Sequence, residues 1–329
     1  MDAEAKCFGE SSSFGFDPFG EEVDAMNHDD NWLNDVAAMQ ILGPRERQED
    51  SALHVRLGRG RLIVVADGMG GEPAGDMASM AAVLGFEKGF GAPADGFENN
   101  MAWAARFMDG LRGALDAMNA AVEAGHGRDG MATTLAAVWV DPDGIRWINV
   151  GDSGAYGSRS SYRTHTPARL TKRHGEGNWV QSGLIAGDGD TSYDRTNRAR
   201  FCASDIDFHP GIFEVSTGSM VIVASDGIDV LADNYGRHWQ AKPYEGPDDA
   251  KEQGRMWENL FLHRNPRQFL RAAEDALADG TAKDNTTAIA IRTSVESLLK
   301  YGESYKDYEP LTEAPDREVL GPELPVTGG

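Results

Sequence analysis

The sequence predicts an α+β chain in which antiparallel sheets are layered and covered by helices. Three observations carry this expectation. Short β-branched runs come in pairs joined by Gly or Pro turns, as antiparallel hairpins do. Two long stretches rich in alanine and methionine keep helical spacing. Strands and helices do not alternate regularly, as a parallel βαβ sheet would require.

Taken in order, residues 1–30 hold nine acids and one Lys, a net charge of −8. With Ser11, Ser12, Ser13 and several Gly and Pro, they read as a flexible acidic tail. Residues 53–57 and 62–66 read as strands, the second a continuous Leu-Ile-Val-Val-Ala run suited to burial. A helix is expected over 76–90, packing through Met80, Val83 and Leu84. A longer one is expected over 99–124, with Met101, Phe107, Met108, Leu111, Leu115, Met118 and Val122 at helical spacing. These methionines read as core.

Residues 133–140 and 145–150, joined at Asp141-Pro142-Asp143-Gly144, read as a hairpin. Residues 212–215 and 220–224 suggest another, with Gly218 near its turn. A helix over 266–277 and a last strand over 286–291 follow. Residues 295–329 hold eight acids, three bases and four prolines, and read as a second acidic tail that opens with a short helical piece at 295–301. The expected organisation is therefore a tail at 1–30, one domain at 31–294 and a tail at 295–329. No solenoid-like repeat is present.

Charge narrows the function. The chain carries 53 Asp+Glu against 31 Lys+Arg, a net of −22. Such a balance excludes a binder of nucleic-acid phosphates, which needs clustered base. It suits an enzyme that gathers carboxylates around metal, as well as a solubilising surface. Cys7 and Cys202 are too few for a disulfide framework, so reduced thiols and a cytoplasmic setting are expected. No apolar stretch reaches the ~20 residues of a membrane helix, and the N-terminus is acidic where a signal peptide is basic. Leu324-Pro325-Val326-Thr327-Gly328-Gly329 resembles a sortase signal but lacks its apolar helix and basic tail, and reads as chance or an added tag.

Acids recur where strands stop. The 62–66 run ends in Asp67-Gly68, the 220–225 run in Asp226-Gly227, and the 145–150 strand in Gly151-Asp152-Ser153. Asp284-Asn285 immediately precedes the last strand, and Glu49-Asp50 leads into the 53–57 strand. A single Asp-Gly is ordinarily a turn. Several at the rim of one sheet repel unless a cation lies between them. Oxygen donors alone suit Mg²⁺ or Mn²⁺ rather than Zn²⁺.

At these residues the chain resembles the PPM (PP2C-type) metal-dependent protein phosphatases of bacterial type. Arg45 to Asp50 resembles their Arg-x-x-x-Glu-Asp opening, and Asp67-Gly68-Met69-Gly70-Gly71 their Asp-Gly-Met-Gly-Gly. Gly130-Met131-Ala132-Thr133-Thr134, Asn149-Val150-Gly151-Asp152-Ser153, Leu170-Thr171 with His174, Ala224-Ser225-Asp226-Gly227 and Lys283-Asp284-Asn285-Thr286-Thr287 follow in the family's order. The resemblance implies a four-layer α-β-β-α sandwich, two antiparallel sheets flanked by helix pairs. It also implies hydrolysis of phosphoserine and phosphothreonine by a hydroxide bridging two Mn²⁺ or Mg²⁺ ions. Asp67 would bridge both ions. Asp226 and Asp284 would hold the first, Glu49 and the Gly68 carbonyl the second, with Asp50 in support. Arg45 would grip the phosphate through its planar fork. Asp152 would sit at a weaker third ion. Phosphorylated proteins would be substrates, with a Ser/Thr kinase or its targets as partners, and a monomer is expected.

Some positions depart from the pattern. Gly154 stands where the family often has Arg, Arg173 where Asp precedes His, and Val230 where an acid follows Asp226, with Asp229 one residue early. Residues 176–210 correspond to the family's flap, where 179–185 look familiar and 186–208 do not, and 233–265 form an irregular segment longer than small members carry there. Two rival readings share the fold: a non-catalytic binding scaffold and a small-molecule phosphoesterase.

Overall fold

Alternation along one strand decides the layering. Leu62, Val64 and Ala66 are buried in one apolar cluster, while Ile63 and Val65 are buried in a second. Successive side chains of a strand point to opposite faces, so this strand is covered on both. The computed structural model describes residues 34–69, 74–93, 99–141, 144–158, 167–176, 179–180, 183–187, 206–213, 220–231, 265–278, 282–292 and 311–322. Their strands are β1 (Val36–Ile41), β2 (Asp50–Leu57), β3 (Gly60–Asp67), β4 (Ala132–Thr133), β5 (Leu135–Asp141), β6 (Gly144–Val150), β7 (Gly154–Ser158), β8 (Pro167–Arg169), β9 (Gly175–Glu176), β10 (Trp179–Val180), β11 (Leu184–Ile185), β12 (Asp207–Phe213), β13 (Met220–Ala224), β14 (Thr286–Arg292) and β15 (Arg317–Leu320). Helices α1 (Gly75–Phe90) and α2 (Asn100–Glu123) lie between β3 and β4, and α3 (Pro266–Ala278) precedes β14.

Two antiparallel sheets form the middle of the molecule. One runs β12-β6-β5-β3-β2-β15 and the other β1-β14-β13-β7-β8. Their facing sides share a core of Val65, Val138, Ile145, Val221, Val223 and Ile289. Helices α1 and α2 cover the outer face of the first sheet through Phe86, Phe90, Phe107 and Leu111. Phe90 meets Phe107 edge-on at 5.2 Å between ring centres, a geometry that adds to area burial. The Asn99 side chain caps α2 by accepting from the Ala102 amide at 2.9 Å, a contact worth about 1 kcal/mol. Helix α3 covers the second sheet through Phe269, Leu270, Ala273 and Leu277. The four layers are those expected, with one helix of the second pair among the described residues.

Three expectations need correction. The runs near 212 and 220 are not a hairpin: β12 pairs with β6 in one sheet, and β13 lies between β14 and β7 in the other. Met101 is 83% exposed. It stands two residues before buried Trp103, hence about 200° away on the opposite face of α2.

The third correction concerns the tail at 295–329. Residues 311–322 run along the molecule, and β15 pairs antiparallel with β2, with Arg317 opposite Val55 and Leu320 opposite Ala52. The Leu311 amide donates to Asp35 Oδ1 at 3.0 Å and the Arg56 amide to the Asp316 carbonyl at 2.7 Å. Arg317 forms a two-point pair with Glu87 of α1 at 2.7 and 2.8 Å. Beneath lies fully buried Arg61, whose Nη1 donates to the Pro315 carbonyl at 3.1 Å and to His54 Nδ1 at 2.7 Å. The edge of β2 and a buried guanidinium thus give this acidic segment its partners. The expected tail at 1–30, the helical piece at 295–301, most of the 233–265 segment and residues 324–329 lie outside the described residues.

Candidate metal centre

Antiparallel pairing puts the start of β2 beside the end of β3, and Asp50 stands directly opposite Asp67. The Gly68 amide donates to the Glu49 carbonyl at 3.0 Å. A Cβ at Gly68 would come within 2.1 Å of the Gly75 carbonyl, so only glycine lets the start of α1 close on this turn. The Thr133-Thr134 pair holds the other side. Thr134 Oγ1 accepts from the Asp67 amide at 3.0 Å, and Thr133 Oγ1 donates to the Asp67 carbonyl at 2.9 Å. The backbone that presents Asp67 is therefore clamped by two hydroxyls.

The second sheet brings its own acids to the same rim. Ser225 Oγ, just before Asp226, donates to Asp50 Oδ2 at 2.7 Å and accepts from the Thr287 amide at 3.0 Å. Asn285 Oδ1 accepts from the Glu49 amide at 2.9 Å, while its Nδ2 donates to the Leu42 carbonyl at 2.8 Å. These bonds tie the two sheets together at the ends where Glu49, Asp50, Asp226 and Asp284 lie. Arg45 Nη2 is 2.5 Å from Asp284 Oδ2, so the expected phosphate-binding arginine stands half-exposed beside an expected metal ligand.

Charge is poorly balanced here. Burial pushes Asp50 up to about 7, with Asp284 adding and the Ser225 hydrogen bond opposing. Asp67 is raised well above the carboxylate range by burial, then by Asp50, Asp226, Asp152 and Asp284. Asp226 is raised to about 7 by burial, then by Asp152, Asp229 and Asp284, with Arg173 opposing. Glu49 is raised by burial, then by Asp76 in the first turn of α1, an acid that the motif reading passed over as a helix start.

Asp50 Oδ1 is buried without a hydrogen-bond partner. Among the described residues, no group of three or more His, Cys, Asp or Glu is arranged to hold a metal ion by itself. Crowded carboxylates and an orphaned buried oxygen fit a hard divalent cation that keeps part of its water.

A family model described as protein phosphatase 2C matches residues 45–244, more than half of the chain. The chain belongs to the protein phosphatase 2C family. It is therefore a hydrolase of the serine/threonine protein phosphatase class. Asp284 and its loop lie beyond the matched stretch, although the Asn285 bonds hold them to Glu49. Among solved structures, the Mycobacterium tuberculosis serine/threonine phosphatase PstP/Ppp aligns at a TM-score of 0.50 and 21% identity, over 79% of this chain and 98% of that one. A bacterial serine phosphatase carrying an arginine-to-alanine substitution aligns at 0.51 and 20%, over 79% and 99%. At these identities the likeness speaks to fold. No curated protein matches the chain by sequence. Among the described residues, no helix is long and apolar enough to cross a membrane.

Asp152 is placed differently from the other phosphatase-motif acids. Its loop is fastened by His174, whose Nδ1 accepts from the Gly151 amide at 3.2 Å, and by Asn149, which donates to the Lys172 carbonyl at 2.9 Å. Those bonds bring Arg173 against it, 3.7 Å from Nη2 to Asp152 Oδ2. Sequence reading noted Arg173 only as a departure. Its signal was that departure: a cation where the family has an acid.

Proposed function

We propose that this chain removes phosphate from phosphoserine and phosphothreonine in proteins with two divalent ions, Mn²⁺ or Mg²⁺. On this reading Asp67 would bridge both ions, Asp226 and Asp284 would hold the first, Glu49 and the Gly68 carbonyl the second, and Asp50 would support them. The observation that supports this most is the cross-strand pair Asp50–Asp67, raised in pKa with Asp226 by burial and mutual repulsion. When bound, the ions would acidify a water and offset charge on the phosphoryl oxygens. The protein's own part is orientation. Thr133 and Thr134 fix the Asp67 backbone, Ser225 fixes Asp50, and Asn285 fixes Glu49. Arg45, half-exposed and paired with Asp284, would turn its fork to a phosphate by giving up that pair.

Substrates on this reading are the targets of serine/threonine kinases, met in the cytoplasm. The test is phosphate release from a phosphothreonine peptide and from a small phosphomonoester, with Mn²⁺ and with EDTA. Peptide turnover that stops in EDTA and returns with Mn²⁺ supports the reading. Turnover undiminished in EDTA removes the metal. Preference for the small ester makes the protein a small-molecule phosphoesterase. No turnover on either makes it a scaffold.

A further inference from the structure

Three acids around the Asp152 loop share one arginine. Arg173 Nη1 donates to Asp229 Oδ2 at 2.8 Å. Its Nη2 lies 3.7 Å from Asp152 Oδ2 and 3.9 Å from Asp226 Oδ2. Arg169 reinforces the arrangement. Its Nη1 donates to Tyr156 Oη at 2.9 Å and stands 3.7 Å from Asp229 Oδ1. Tyr156 Oη donates in turn to Asp229 Oδ1. Arg169 Nη2 donates to the Asp152 and Ser153 carbonyls at 2.6 and 2.7 Å.

Gly154 makes room for this second arginine, since a Cβ there would fall 2.5 Å from Arg169 Nη2 and 2.7 Å from its Cζ. The two departures at 154 and 173 are therefore linked. The side chain missing at 154 leaves the space that Arg169 fills, and the acid missing before His174 is replaced by a cation facing Asp152.

Asp152 Oδ1, like Asp50 Oδ1, is buried without a hydrogen-bond partner, but the two guanidiniums beside this loop argue against a third ion there. It would share the Asp152 carboxylate with a guanidinium and meet two positive charges at short range. Asp152 is only 2% exposed, so water screens that repulsion little. We infer that Arg173 takes the place of a third ion. The chain binds two metal ions and neutralises Asp152 and Asp229 from within. Arg173 is then a positioning residue that ties this pair to Asp226, and its charge stays in place at any metal concentration. The inference rests on the two-ion reading above.

Equilibrium dialysis of the full chain against Mn²⁺, with bound metal counted by atomic absorption, tests it. Wild type saturates at two ions per chain, Arg173→Gln at three, and Arg173→Lys, which keeps the charge, at two. Adding Asp152→Asn to Arg173→Gln returns the count to two. Three ions in the wild type, or two in a folded Arg173→Gln variant, overturn the inference while leaving the two-ion reading intact. No bound ion in the wild type overturns that reading as well. Should Arg173→Gln fail to fold, Asp152→Asn in the otherwise natural chain decides: an unchanged count of two supports the inference, and a count lower by one overturns it.

Discussion

The β2–β3 hairpin buries charge of both signs, and its two halves solve the problem differently. At one end Asp50 and Asp67 face each other with too little positive charge beside them, and burial drives both toward the protonated form. Further along, Arg61 and His54 are fully buried, but residues 311–322 come to them. Pro315 supplies a carbonyl to Arg61, and Glu318 Oε2 lies 2.9 Å from His54 Nε2. Where the chain brings its own partner, the buried charge becomes part of the frame. Where it does not, the charge is held ready for something from outside. Substitutions at the basic half should therefore cost stability, and those at the acidic half should cost turnover and metal affinity.

The largest effect expected is on stability. Ending the chain before residue 311 strips β2 of its neighbour and leaves the Arg61 guanidinium without the Pro315 carbonyl and the nearby acids that favour its charge. A buried charge that loses its partner costs about 3–5 kcal/mol. Urea unfolding of the metal-free protein should show a loss of this size. An unchanged midpoint would mean that the strap is decoration.

The acidic half should behave in the opposite way. Asp67→Asn should fold and should unfold at nearly the wild-type urea concentration without metal. Its turnover should fall at least a hundredfold, about 2.7 kcal/mol of transition-state stabilisation. The rise in melting temperature with Mn²⁺ should shrink too, because ligand-linked stability is lost with the ligand. Full activity in this variant would break the contrast between the halves.

Arg45→Ala probes the rim of the same half. Loss of charge-assisted bonds to phosphate should lower kcat/KM by roughly 1.5–3 kcal/mol, mostly through KM, with the Mn²⁺ count unchanged. Unchanged kinetics on a phosphothreonine peptide would remove Arg45 from the site.

The smallest effect is a pH slope at the basic half. His54 accepts from Arg61 at Nδ1, and burial holds its pKa below the ordinary value, so the folded protein keeps it neutral. Its stability contribution is complete above the unfolded-state pKa of about 6.5. It declines as pH falls below that value, where the unfolded chain takes a proton that the folded one refuses. Urea midpoints at pH 7 and pH 5 should therefore drop more in the wild type than in His54→Gln. Equal drops would show that His54 is protonated in the fold.

Legibility in the sequence followed the range of the interactions. Residues 62–66 read as a buried strand because five apolar residues in a row need no distant partner to be recognised. Asp67, Asp226 and Asp284 stood out because each sits where such a run stops or starts. Asp76 was hidden because an acid in the first turn of a helix is ordinary by itself. Arg173 was hidden because its closest acid, Asp229, lies 56 positions away. The false hairpin near 212 and 220 arose because two neighbouring apolar runs look alike whether they pair with each other or enter different sheets. Residues 317–320 escaped because a four-residue strand with Arg317 and Glu318 at its start has no apolar pattern of its own.

The pairing of β15 with β2 also has a consequence for biosynthesis. His54 and Glu318 are 264 positions apart, so the ribosome makes β2 long before the segment that covers it. Throughout that interval the nascent chain presents a bare strand edge and a basic side chain without its cover, the kind of surface on which unfinished chains stick to one another. A ribosome that pauses anywhere in between holds the protein in that condition. Yield in the cell should therefore depend on how quickly the stretch up to residue 322 is translated, and slow codons placed just before residue 311 should send more of the product into inclusion bodies than the same codons placed before β2.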